Sequence, residues 1–78
     1  MEGFLVLKSR EFWDRSRKGK LPKNSKFAEV KLSYSGNHRY YEVFNPESYK
    51  EQVLKDGNVW IGLIRTNENG IAIKLPKR

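Results

Sequence analysis

Between Lys26 and Ser35 apolar and polar positions alternate: Ala28, Val30, Leu32 and Tyr34 fall on one face, Phe27, Glu29, Lys31 and Ser33 on the other. Period-two alternation marks a strand with one buried face. Ser35-Gly36-Asn37 reads as a turn, and His38 to Phe44 as the return strand, with Tyr41 and Val43 opposed to Tyr40 and Glu42. The pattern predicts a hairpin. A second hairpin is expected from Val59–Arg65 and Ile71–Leu75, joined through Asn67-Glu68-Asn69-Gly70 and ended by Pro76. Gly3–Lys8 is apolar on both faces, which predicts a strand inside the sheet.

Two segments have helical character instead. Ser9 is an N-cap candidate for a short helix over Arg10–Lys18, with Phe12 and Trp13 as its apolar edge and Gly19 as a left-handed stop. Glu11 precedes Arg15 by four and Asp14 precedes Lys18 by four, the favourable order of charges. The second helix is the better marked. Asn45 caps it, Pro46 takes its first position, Glu47 lies in its first turn, and Phe44 can staple onto Tyr49. Asp56-Gly57-Asn58 ends it. The predicted order is β-α-β-β-α-β-β: an α+β domain with a mostly antiparallel sheet and two short helices on one face. A strongly bent sheet or small barrel is the alternative.

Seventy-eight residues are expected to form one small domain over 1–78 with a thin core. Trp13 and Trp60 are expected as packing anchors and Tyr41 as core, with Tyr40 placed outward by the binding reading below. With no cysteine there is no disulfide, thiolate metal site or cysteine nucleophile, which suits a reducing cytoplasm. The longest apolar runs are far short of the roughly 20 residues that span a bilayer. Met1-Glu2-Gly3 carries an acid where a secretory leader carries a base, so neither leader nor membrane association is expected.

Charge changes the picture most. The chain has 16 basic and 9 acidic residues, a net charge of +7. Arg15 to Lys26 holds six of the bases, Arg15, Arg17, Lys18, Lys20, Lys23 and Lys26, and no acid. Without it ten bases face nine acids, a net of +1. A nearly neutral body with one cationic loop, 15–26, points to a polyanionic partner. Such a loop collects backbone phosphates with little regard to sequence. Part of the charge also suits the negative end of the first helix.

Near the first hairpin, Tyr34, His38, Arg39, Tyr40 and Tyr41 interleave rings and cations, as surfaces that stack bases do. The first six elements have the order of the split βαβ, ferredoxin-like arrangement, which is similar to that of RNA-recognition-motif domains. Those domains stack bases on aromatics of their first and third strands. Here Tyr41-Glu42-Val43-Phe44 fits the ending of the third-strand motif, while its glycine is missing. The likeness therefore extends to a mode of binding rather than to membership.

Catalytic signatures are missing: there is no phosphate-cradling glycine loop, no nucleophile elbow and no paired-histidine zinc motif. His38 stands alone, too few for a histidine metal cluster, with Glu42 along the strand as its one acid–base partner. No metal or cofactor is expected. The leading expectation is a non-enzymatic module binding nucleic acid, RNA before DNA. Arg15, Arg17, Lys18, Lys20, Lys23 and Lys26 capture phosphates, and Arg39, Tyr40 and His38 stack or hydrogen-bond. A phage-like regulator docking on an acidic protein surface is a second reading. A small metal-independent ribonuclease, similar to RelE-like toxins in its use of Lys, Arg and Tyr, is a third. The expected state is a monomer or a weak homodimer paired through the last strand.

Overall fold

The computed structural model describes residues 3–74, and in them seven elements follow in the predicted order. They are β1 (Gly3–Lys8), α1 (Ser9–Arg17), β2 (Lys26–Lys31), β3 (His38–Val43), α2 (Pro46–Lys55), β4 (Val59–Thr66) and β5 (Ala72–Lys74). The fold is α+β. All five strands are antiparallel to their neighbours in one open sheet of order β1-β3-β2-β4-β5. Leu75 and Pro76, expected to close the last strand, lie outside the described residues. No helix among the described residues is long and apolar enough to cross a membrane.

β2 is the central strand. It pairs with β3 in the predicted hairpin, Lys31 opposite His38 and Phe27 opposite Glu42, and with β4 on its other side. Its strand ends at Lys31, earlier than the alternation suggests. Leu32 turns into the interior and Tyr34 stands 82% exposed in the connecting turn. The Ser33 N–H donates to the Asn58 side chain at 2.9 Å, tying that turn to the segment after α2.

Two expectations are corrected. β1 is an edge strand, paired with β3 alone. β2 already holds β3 and β4, and β1 takes the free side of β3. Leu5 and Leu7 pack into one core cluster, while Val6, on the opposite face, remains half exposed. Because β1 runs antiparallel to β3, the pairing is not that of a split βαβ unit, despite the shared element order.

The two helices also lie on opposite faces. α1 sets Phe12 among Leu7, Leu21, Phe27, Tyr40 and Ile64. α2 sets Val53 among Ala28, Val30 and Val43 on the other side, where Tyr49 packs toward Tyr41 and Trp60. β2 therefore buries four consecutive residues, Phe27, Ala28, Glu29 and Val30. Fully burying one large apolar side chain is worth about 1.5–3 kcal/mol. Covering both faces of the central strand is how a chain this short builds two small clusters.

The helix ends follow from local chemistry. The Lys8 N–H donates to the Glu11 carboxylate at 3.3 Å at the start of α1. At its other end Gly19 adopts φ 65°. There the Gly19 N–H reaches the Ser16 carbonyl at 3.0 Å and the Lys20 N–H reaches that of Arg15 at 2.8 Å, the paired bonds of a Schellman motif. For α2 the Asn45 side chain accepts from the Ser48 N–H at 3.3 Å, and Pro46 opens the first turn, as predicted.

Candidate functional site

The basic segment leaves α1 at Gly19 and is fastened along the β4–β5 hairpin. The Leu21 N–H donates to the Gly70 carbonyl at 3.3 Å and the Asn24 N–H to that of Asn67 at 3.1 Å. Ser25 and Thr66 exchange two bonds: the Ser25 N–H reaches the Thr66 hydroxyl oxygen and the Thr66 N–H the Ser25 carbonyl, each at 2.9 Å. That buried hydroxyl donates onward to the Pro22 carbonyl. Leu21 fills a core position. The backbone of this loop is thus tied down over most of its length.

Its cations point the other way. Arg15, Arg17, Lys18, Lys20 and Lys23 are exposed and Lys26 is half-buried at the start of β2. Among the described residues one ion pair touches the segment, between Arg17 and Asp14. Lys26 borders a hollow of about 220 Å³ together with Asn24, Ser25, Glu42, Val43 and Phe44.

The residues expected to complete the site do not join it. His38 and Arg39 begin β3 and sit beside Ser9 and Arg10 at the opposite end of α1. The two groups therefore stand toward opposite ends of α1, whose nine residues rise about 13 Å. Tyr40 is 1% exposed, its ring stacked on Phe12 at 4.2 Å between centroids. A ring enclosed in this way offers no face to a base, so the expected stacking role of Tyr40 gives way to a core role. The reason is register: Tyr40 shares the α1 face of the sheet with Leu7, Phe27 and Glu29, while Tyr41 lies toward α2 and is half-buried.

The partner of Tyr40 is a residue that the alternation pattern assigned to a polar face. Glu29 is buried, and its Oε2 accepts the Tyr40 hydroxyl at 2.8 Å. The Trp13 ring N–H donates to that hydroxyl at 3.1 Å. His38 Nδ1 lies 3.4 Å from Glu29 Oε2 and Lys74 Nζ 3.9 Å from Oε1. Glu29, across the hairpin, is therefore the carboxylate that faces His38, rather than Glu42 further along the strand. One sequence signal for Glu29 exists in retrospect: it stands directly opposite Tyr40 once the hairpin register is known.

Burial raises the Tyr40 hydroxyl above the ordinary tyrosine value, and its bond to Glu29 adds to the effect, while the Trp13 and Ser9 side chains oppose it. Burial raises Tyr49 further, aided by the adjacent Tyr41. Among the described residues no three His, Asp or Glu side chains gather as a metal-ligating group.

Compared with protein-family models, curated proteins and solved structures, the chain matches none.

Proposed function

We propose that this chain is a non-enzymatic nucleic-acid-binding module whose contact surface is the cationic rim Arg15, Arg17, Lys18, Lys20, Lys23 and Lys26. The observation that carries this reading is the contrast between a fastened backbone and outward cations. Six like charges crowded into twelve residues repel one another. Holding them on a backbone hydrogen-bonded to the β4–β5 hairpin lowers the ordering cost that binding would otherwise incur. Phosphates that settle there replace condensed counterions and relieve the repulsion.

RNA is placed before DNA because the two helices do not pair as a helix-turn-helix and α1 is only nine residues long. Both pack against the sheet, Phe12 of α1 on one face and Val53 of α2 on the other. Backbone contacts of this kind give affinity rather than base preference.

A gel-shift panel of single-stranded RNA, duplex RNA and duplex DNA tests the reading. Binding to single-stranded RNA at the lowest protein concentration is the expected result. If none of the three is retarded at low salt, the nucleic-acid reading fails. A partner captured by the rim from nuclease-treated lysate would then favour an acidic protein surface.

A further inference from the structure

At the end of α1 away from the basic segment, the last residue of β1, the first two of α1, Asn37 and the start of β3 border an open hollow of about 270 Å³. Lys8, Ser9, Arg10, Asn37, His38 and Arg39 line it. Every one of these side chains can donate a hydrogen bond, and three are permanent cations. No carboxylate lines it among the described residues. Two acids touch lining residues without lining the hollow themselves. Glu11 accepts the Lys8 backbone N–H, and Glu29 is buried against Tyr40 while facing the His38 ring.

Three cations meet here with no carboxylate among the lining residues to balance them, and an anion rich in acceptor oxygens is their natural complement. The walls are also held in place. Lys8 and Arg39 are paired across β1 and β3, and the Arg39 guanidinium donates to the His38 carbonyl at 3.0 Å. Pockets that enclose drug-sized ligands run to about 300–1,000 Å³, so this smaller hollow suits one anionic group rather than a whole nucleotide. We propose that it is a phosphate-binding site, with Lys8, Arg10 and Arg39 supplying charge and Ser9, Asn37 and His38 supplying further donors. Resting on the nucleic-acid reading above, it gives a bound strand a second anchor at the end of α1 away from the basic rim.

The test follows backbone amide signals of Ser9, Arg10, Asn37, His38 and Arg39 while inorganic phosphate replaces chloride at constant ionic strength. The expected result is a saturable shift at these amides. It persists when the six rim cations are changed to Gln, and it weakens by about tenfold or more in Arg10→Gln/Arg39→Gln. Shifts that grow without saturation, spread over all surface cations, or survive the double substitution overturn the proposal. A single-stranded oligoribonucleotide separates this failure from that of the broader reading. Phosphate saturation with no RNA binding leaves the pocket standing and removes the nucleic-acid role. RNA binding with the pocket amides unmoved by either ligand leaves the rim standing and removes the pocket.

Discussion

Gly19 and Gly70 meet backbone to backbone. A methyl group on Gly70 would lie 2.7 Å from the Gly19 carbonyl oxygen and 2.6 Å from that of Leu21, and one on Gly19 would lie 2.7 Å from the Asn69 carbonyl oxygen. Both glycines have left-handed φ, 65° and 73°. This contact joins the end of α1 to the β4–β5 turn and fixes the direction in which the basic segment sets out.

Gly70→Ala therefore meets strain and a backbone clash together. The left-handed conformation alone costs about 1–2 kcal/mol for a side chain, and the neighbouring atoms are backbone carbonyls with little room to yield. The expected loss is at least about 2 kcal/mol, a fall in melting temperature on the order of 10 °C. Gly62→Ala is the control, since a methyl group there meets nothing within 4 Å. It is expected to be neutral or slightly stabilising. Thermal melts of the two variants side by side check the contrast.

Tyr40→Phe removes the hydroxyl that donates to the buried Glu29 carboxylate and accepts from Trp13. A hydrogen bond to a charged group contributes about 1.5–3 kcal/mol, and its loss leaves a buried acceptor short of a partner. The same figure is the expected destabilisation in urea denaturation, with an unchanged slope. Trp13→Phe keeps the ring packing and the Tyr40–Glu29 bond, so its expected cost is smaller, about 1 kcal/mol.

The pKa values of Tyr40 and Tyr49, both raised by burial above the ordinary tyrosine value, set the response to alkali. Above the ordinary tyrosine value of about 10, the unfolded chain releases these protons while the folded chain keeps them. The unfolded state then binds fewer protons, so stability falls as pH rises. Stability from these two groups is fully present below pH ~10 and is lost on going above it. Melting temperatures measured on either side of pH ~10 check the direction. The alkaline loss is expected to shrink in Tyr49→Phe.

Much of this architecture is legible in the residue pattern. The alternation from Lys26, the Asn45-Pro46 start of α2 and the glycine stop of α1 each point to the element that forms. Such signals are local. They do not say which face of a strand another element will cover, and that is where the reading of Tyr40 and Glu29 departs from the fold. Glu29 looks like a solvent-facing acid in an alternating strand. It is buried because α1 lies over that face and because Tyr40, opposite in register, satisfies it. The edge position of β1 has a similar origin, since its apolar residues say that it is covered but not by which strands. The fastening of the basic segment depends on Gly70, Thr66 and Asn67, all remote in sequence. Its charge was plain from composition, while its fixed course was not.

The salt dependence of affinity for single-stranded RNA tests the central claim most directly. Measured by fluorescence anisotropy, about five phosphate contacts predict that log affinity falls with log salt at a slope of roughly −3.5. Replacing Arg15, Arg17, Lys18, Lys20, Lys23 and Lys26 with Gln leaves Gly19, Leu21, Ser25, Thr66 and Gly70 in place. That variant is expected to fold, to bind far more weakly and to lose most of the slope. A native protein whose affinity ignores salt, or a folded variant that binds RNA as tightly as the native chain, would contradict the account.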